Sequence, residues 1–331
     1  MSQKLGIKAR AAGLRAAFEA EGATPLETPI LQPAEILLDL YGEDIRARAY
    51  VTSDALRGEQ MLRPDFTVPV VQMHMEHGAE PARYTYAGEV FRRQEHDPNR
   101  ASEFMQVGYE VFDRKNPAAA DAEVYALFAR ALKDLPLRSA TGDIGILKAA
   151  VQGLETSERR KAALLRHIWR PRRFRALLDR FAGRTPISES RKKLLSTSGP
   201  LTGSAPEIGK RRAAEIDTRI ETLRGDAAAP PIAEHEMAAL EALLAVRETI
   251  PYALEQMRDI AVDLPSILPA LDRLEARASA LRARGIDVDR LDFEAAYGRT
   301  SMEYYDGFVF GFYAEARPDL PAIASGGRYD A

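Results

Sequence analysis

Two stretches decide the fold, Arg83-Tyr-Thr-Tyr-Ala-Gly-Glu-Val-Phe-Arg92 and Glu103-Phe-Met-Gln-Val-Gly-Tyr-Glu-Val-Phe112. Both are rich in aromatic and β-branched residues, and the polar residues between them include His96, Asp97, Pro98 and Asn99. That pattern predicts an antiparallel hairpin with a long loop. Side chains alternate along a strand, so Met105, Val107, Tyr109 and Val111 share a face suited to packing under a helix. Phe104, Gln106, Gly108, Glu110 and Phe112 share the other. On that second face an amide and a carboxylate sit about 7 Å apart across a glycine that leaves the sheet uncovered, a seat for an ammonium or an imidazole. The competing reading turns Gln106 and Glu110 to solvent on an edge strand.

Working outward from the hairpin, Ile7, Ala11, Leu14 and Phe18 fall on one face of a 3.6-residue repeat, which predicts an amphipathic helix over 3–21 with Gly22 just beyond its end. Pro25, Pro29 and Pro33 then force extended chain, because each ring removes a backbone donor and fixes φ. A short helix is expected over 34–40. The segment Leu62-Arg-Pro-Asp-Phe-Thr67-Val-Pro69 couples a strand end to a helix start, with Thr67 as an N-cap, which leaves Asp65 to face a ligand amine. Residues 117–135 read as a helix with Val124, Leu127, Phe128, Ala131 and Leu132 as its apolar stripe. From 155 to 283 the pattern is almost wholly helical, broken by loops at 196–209 and 225–231. Strand signals return at 290–296 and 304–314. The expectation is an α+β protein: an antiparallel sheet flanked by helices, built from 1–154 and 284–331, with a helical insertion subdomain at 155–283.

Composition narrows the function. With 46% hydrophobic and 29% charged residues in 331, the chain is a folded domain rather than a disordered or fibrous one. Forty-six Lys and Arg against 49 Asp and Glu leave a formal charge of −3, so no mean field draws it to nucleic acid. The absence of cysteine excludes disulfides and thiolate metal sites and agrees with a cytoplasmic location. No apolar block reaches membrane-spanning length, and neither membrane nor nucleic acid is expected as a partner. Five histidines show no convergent metal spacing apart from His74 and His77, so no metal and no cofactor is expected. The run 203–210 imitates a phosphate-binding loop but has five residues between its glycines and Arg211 where a magnesium-binding hydroxyl belongs. Basic residues concentrate from Arg159 to Arg180, interleaved with Leu164, Ile168, Phe174 and Leu177. That concentration reads chiefly as a solvated helical face and is also a candidate partner contact.

Taken in order, Glu27-Thr-Pro29-Ile-Leu-Gln-Pro33, Leu62-Arg-Pro-Asp-Phe-Thr67, Phe91-Arg92 with Glu103-Phe-Met-Gln106-Val-Gly-Tyr-Glu110, Tyr304-Tyr305-Asp-Gly307 and Ser325-Gly-Gly-Arg-Tyr-Asp330 resemble the class II aminoacyl-tRNA synthetase core, most closely its histidyl-tRNA synthetase branch. The resemblance implies a histidine pocket. Asp65, Thr67 and Gln106 would serve the α-amino group, and Glu110 with Tyr304 or Tyr305 the imidazole. Arg92 would meet the carboxylate side or a phosphate, and Tyr329 would help close the site.

Departures from the family pattern redirect the function. The position of the synthetase's catalytic arginine reads Thr300, with Arg299 one residue off, and Ser102 replaces one of two arginines in the motif 2 loop, where Arg100 keeps the other. The resemblance places an ATP-binding motif 3 and an anticodon-binding domain downstream of Ser325–Asp330, and neither is expected in this protein. Adenylate formation needs positive charge already placed at the α-phosphate. A synthetase-like core that keeps the pocket and lacks that charge resembles the regulatory-subunit family of short-form ATP phosphoribosyltransferase, the first enzyme of L-histidine biosynthesis. That resemblance implies no catalytic residue of its own, L-histidine as ligand, and a homodimer within a hetero-octamer that includes the catalytic subunit. Activation of that subunit and allosteric feedback inhibition by histidine would follow. The alternatives are an active histidyl-tRNA synthetase and a free-standing histidine-sensing paralogue.

Overall fold

The computed structural model describes residues 2–35, 38, 48–94, 100–197, 212–299 and 305–329. These residues group into two units, Met1–Thr141 with Arg273–Leu291 and Glu303–Ala331, and Gly142–Asp272 with Asp292–Met302.

The first unit opens with the helix Ser2–Ala20. Gly22, at φ 94°, ends it, and the Ala23 amide reaches back to the Phe18 carbonyl as glycine-terminated helices do. Ala11 and Phe18 are buried as the repeat predicts, but Ile7 is exposed, so the apolar stripe serves only the last three turns. The following segment forms the strands β1 (Thr24–Pro25) and β2 (Leu31–Pro33), prolines sitting in edge positions that tolerate a missing donor. β3 (Val51–Asp54) and β4 (Gly58–Leu62) pair antiparallel around Gly58, at φ 75°, and β2 adds to β4 to make a three-stranded sheet in the order β2-β4-β3.

The central sheet has the order β1-β5-β6, with β5 (Ala82–Phe91) and β6 (Glu103–Phe112) antiparallel from Ala82 opposite Phe112 to Phe91 opposite Glu103. Each face buries a different cluster. Tyr109 packs with Phe18, Ala23 and Leu127, and Val107, Val111, Val124, Phe128 and Ala131 surround them. The opposite face carries Tyr86, Val90, Phe66 and Val70, edged by Phe104 and Phe112. Of these, Val70 lies on the helix Thr67–His77 and Phe66 just before it.

The helix Pro117–Ala131 starts with Asn116 accepting a hydrogen bond from the Ala119 amide and Pro117 in the first turn, both favourable there. One side of it meets β6. On another, Tyr125 lies among Phe308, Phe310 and Phe312, at centroid distances of 6.4, 5.4 and 5.4 Å. Those three belong to β10 (Phe308–Ala314), which neighbours β7 (Leu137–Asp143) and pairs antiparallel with β11 (Ala324–Gly327).

The second unit is mainly helical, with helices Ile144–Gly153, Glu158–Arg166, Pro171–Phe181, Glu189–Ser196, Ala213–Ala228, Glu234–Ala245 and Ile250–Ile260. A small antiparallel ribbon joins β8 (Arg247–Thr249) to β9 (Asp292–Glu294). The basic stretch folds as the solvated-face reading expects: Leu164, Ile168, Phe174, Leu177 and Leu178 are buried while Arg159, Arg166, Arg172, Arg173 and Arg175 are exposed. Arg160 departs from this. It is buried, paired with Asp226 at 2.8 Å, and donates to the carbonyls of Asp226 and Pro230 at 2.5 and 2.7 Å.

Candidate functional site

The hairpin register places Tyr86 directly opposite Gly108 and Tyr84 opposite Glu110. A β-carbon at residue 108 would run into the Tyr86 ring. The glycine therefore admits Tyr86, and the sheet surface above it is not the open ligand seat that its spacing suggests. Tyr86 in turn stacks on Phe66, with centroids 4.3 Å apart and planes 9° from parallel, and donates its hydroxyl to Glu110 Oε1 at 3.1 Å. The expected 7 Å separation of Gln106 and Glu110 is also corrected: it is one same-face step on a strand, and these two lie two steps apart, about 13 Å at 3.3 Å per residue.

Glu110 is buried, against the solvent-facing alternative, and is held by three hydroxyls. Tyr329 donates to Oε2 at 2.6 Å, and Thr67 and Tyr86 donate to Oε1 at 3.1 Å each. Burial pushes its pKa up, the three hydroxyl donors oppose the shift, and the charge of Asp65 adds to it. The geometry gathers Asp65, Thr67, Glu110 and Tyr329 in one place, from the helix start, β6 and the chain after β11. Asp65 and Thr67 exchange the roles expected of them. Phe66, not Thr67, is the N-cap residue, and the Asp65 carboxylate accepts the Thr67 amide at 3.2 Å, so Asp65 does take part in capping while the Thr67 hydroxyl is released for Glu110.

Gln106 lies further along the same face of β6, and its Oε1 is buried and accepts no hydrogen bond among the described residues. Such an atom costs free energy unless a donor meets it. Arg92 is exposed, donates its Nε to the Pro64 carbonyl at 2.7 Å, and lies over Phe104 at 5.1 Å. Tyr305 is buried and stacks on Tyr329, centroids 6.3 Å apart. Tyr304 lies outside the described residues, as do Thr300, the 203–210 run and most of the 34–40 helix.

Further side chains brace the sheet on both of its faces, Arg63, Arg83 and Glu123 among them without having been singled out from the sequence. Arg63 is buried, donates to the Thr28 and Glu89 carbonyls at 2.5 and 2.9 Å, and lies over Phe66 at 4.0 Å. Burial lowers its pKa, with Glu89 pulling the other way. Arg83 ties β5 to Glu123 through two bonds of 2.6 and 2.7 Å, and Tyr109 donates to the same carboxylate at 2.7 Å. Burial would raise the Glu123 pKa, but the hydrogen bonds from Arg83 and Tyr109 leave it lowered. The double glycine of Ser325-Gly-Gly makes room for rings: a β-carbon would come 2.6 Å from Phe310 at Gly326 and 2.8 Å from Tyr305 at Gly327. His74 stacks on Phe112 at 3.8 Å and shares a 3.2 Å hydrogen bond with Tyr84, an aromatic-core role.

In the second unit Arg299 is buried, donates its Nε to the Ile168 carbonyl at 2.8 Å and lies over Phe174 at 4.7 Å. Its Nη2 has no hydrogen-bond partner among the described residues, and burial lowers its pKa to about 10.

A family model described as histidyl-tRNA synthetase matches residues 5–223 and 217–331. Proteins named ATP phosphoribosyltransferase regulatory subunit from Brucella ovis and Brucella abortus are each 31% identical to this chain, over 96% of it and 88% of their own length. Among solved structures, an ATP phosphoribosyltransferase regulatory subunit/histidyl-tRNA synthetase from Bacillus halodurans aligns with a TM-score of 0.68 at 22% identity, over 98% of this chain and 72% of that one. A histidyl-tRNA synthetase from a Nostoc species aligns with a TM-score of 0.64 at 19% identity, over 98% of this chain and 65% of that one. At these identities the structural likeness speaks for the fold, a class II synthetase-like α+β architecture.

Proposed function

Because the chain belongs to the histidyl-tRNA synthetase family and, within it, to the ATP phosphoribosyltransferase regulatory subunits, we propose that it is a non-catalytic regulatory subunit. It activates a short-form ATP phosphoribosyltransferase catalytic subunit and carries feedback inhibition by L-histidine, working as a homodimer within a hetero-octamer in the cytoplasm. The observation that carries this reading is the likeness to the Brucella regulatory subunits over 96% of this chain. No helix among the described residues is long and apolar enough to cross a membrane, which agrees with it. Residues 1–154 and 284–331 would form the synthetase-like core and 155–283 the helical insertion.

On this reading L-histidine binds on the Gln106–Glu110 side of the sheet, beside the Tyr86 ring that covers Gly108. Glu110 accepts an imidazole N–H beside its three hydroxyl donors, since a carboxylate offers about four acceptor sites. The α-ammonium satisfies Gln106 Oε1 and is drawn by Asp65. Thr67, Tyr305 and Tyr329 shape the imidazole end, Tyr304 being assigned there from the sequence alone, and Arg92 meets the ligand carboxylate or a phosphate. The absence of catalysis is supported by Arg299, whose Nε is engaged by the Ile168 carbonyl and whose guanidinium lies on Phe174. A synthetase arginine turns its guanidinium to a phosphate, whereas here one nitrogen is taken by a carbonyl and the plane by a ring, with Nη2 unpartnered among the described residues.

The test is reconstitution. Phosphoribosyl transfer by a purified short-form catalytic subunit is expected to rise when this chain is added and to fall again with L-histidine. A rate that ignores this chain would overturn the proposal, as would L-histidine-dependent ATP–pyrophosphate exchange by the chain alone.

A further inference from the structure

Tyr329 comes after the last residue of β11, Gly327, and yet holds the shortest of the three hydroxyl bonds to Glu110. The neighbouring residue is unusually well anchored. Arg328 receives the Asp306 amide on its carbonyl at 3.0 Å and gives its own amide to the Phe308 carbonyl at 2.7 Å. Its guanidinium donates Nε and Nη2 to Asp121 Oδ1 at 3.1 and 2.8 Å, and Nη2 also reaches the Pro117 carbonyl at 2.7 Å. The other oxygen of Asp121 accepts Arg277 Nε at 2.8 Å. Arg277 comes from the helix Leu268–Ala283 and lies over Phe308 at 4.5 Å. Asp121 and Arg277 are buried, 7% and 4% exposed, and Arg328 is 17% exposed, so the carboxylate and one cation are shielded from water and the geometry of the three is fixed by one another.

The geometry points to Asp121 as a positioning residue for the ligand site: one carboxylate clamps Arg328 and Arg277, and that clamp sets Tyr329 against Glu110. Two cations and one anion make a poor choice for stability alone, since an apolar trio of similar volume serves a core as well. The arrangement does supply direction. A forked guanidinium bound by two nitrogens to one carboxylate oxygen, with a helix-start carbonyl as a third point, leaves little rotational freedom to the residue that carries it or to the next one. The inference rests on the proposal that Tyr329 lines an amino-acid site, and its test separates the two.

The full chain labelled with 3-fluorotyrosine gives a fluorine resonance for Tyr329, assigned by its loss in Tyr329→Phe. Asp121→Asn keeps the shape and removes the charge, and it is expected to move the Tyr329 resonance towards that of the water-exposed amino acid while the resonance of Tyr109, which is held by Glu123, stays in place. Arg328→Lys, which keeps the charge but loses the fork, is expected to do the same, and it serves if Asp121→Asn does not fold. An unmoved Tyr329 resonance in the folded variant overturns the inference whatever L-histidine does. Calorimetric titration with L-histidine adds the functional arm. Asp121→Asn and Tyr329→Phe are each expected to weaken binding about tenfold or more, and the double variant no further than the weaker single one, because both act through the same contact. Losses that multiply overturn the inference. A wild-type chain that gives no heat with L-histidine overturns the proposed ligand instead, and the fluorine spectra still decide the role of Asp121.

Discussion

Glu110 is a carboxylate under two opposing demands, and both are measurable. Burial favours its protonated form, whereas Tyr329, Tyr86 and Thr67 favour the anion, and burial dominates, so the pKa is raised above its ordinary value of 4.5. A folded-state pKa above the unfolded one means that the native state binds the proton more tightly. The associated stability is therefore complete below about 4.5, the ordinary carboxyl value, and is lost as pH rises through the raised value, by about 1.4 kcal/mol for each unit of displacement. Glu110→Gln removes this titration. The difference in Tm between Glu110→Gln and the wild type is expected to grow more favourable to the variant from pH 4.5 to pH 8, read by calorimetric melts at matched ionic strength. A difference that stays flat across that range would mean that the carboxyl titrates alike in both states. The same substitution is expected to weaken L-histidine by about 1.5–3 kcal/mol, the usual worth of a charged hydrogen bond, so that stability and binding move in opposite directions at neutral pH.

The β5–β6 hairpin shows why a strand gives up its architecture more readily than its site. Alternation alone assigned Val107, Tyr109 and Val111 to the face beneath the helices and Gln106 and Glu110 to the other, and those faces are observed. The bounds of β6 also coincide with those expected, because the run 103–112 is framed by polar residues on both sides. What alternation leaves out is the neighbouring strand. Tyr86 covers Gly108 only because the two are register partners, and register depends on a connection whose geometry its composition does not specify. Gly108→Ala is accordingly expected to cost about 1–3 kcal/mol by overpacking against Tyr86. Denaturant melts of the single and double variants with Tyr86→Ala test this, since removing the ring should make the added methyl nearly neutral. β8 escaped the reading for another reason: three residues between two helices carry too little periodicity to be seen. The basic helices behave conversely. Arg172 and Arg173 are exposed, whereas Arg160 anchors the carbonyls that end the helix Ala213–Ala228. Arg172→Ala and Arg173→Ala are expected to stay within about 0.5 kcal/mol of wild type, while Arg160→Ala should cost about 3 kcal/mol or more by leaving the partly buried Asp226 and the carbonyls of Asp226 and Pro230 beside an empty space. Similar losses at all three sites would contradict the burial pattern.

At the scale of the whole molecule, the question is whether recognition of an amino acid here leads to chemistry or to a change of state. The sequence raised it first through Thr300, where the resemblance implies an arginine, and through Ser102 in the motif 2 loop, while Arg299 supplies a guanidinium of its own one residue earlier. That guanidinium is buried on Phe174 and its pKa is lowered to about 10, with burial the cause. No carboxylate among the described residues pairs with it, and a buried cation so held is destabilising at neutral pH, a penalty relieved only where it could lose its proton, well above the physiological range. Replacing it with an apolar chain of similar length removes the penalty and leaves the Ile168 carbonyl without its donor, two effects of comparable size and opposite sign. Arg299→Met is therefore expected to change stability by no more than about 1 kcal/mol, measured by denaturant midpoint. On the proposed regulatory reading it should also leave activation of the catalytic subunit and its inhibition by L-histidine intact, because those require a difference in ligand affinity between two arrangements of the complex and not a charge on a phosphate. An Arg299→Met chain that folds normally but no longer transmits the L-histidine signal would give Arg299 a part in the switch. Retained regulation would leave it as the remains of a cation for which this chain has no phosphate to bind.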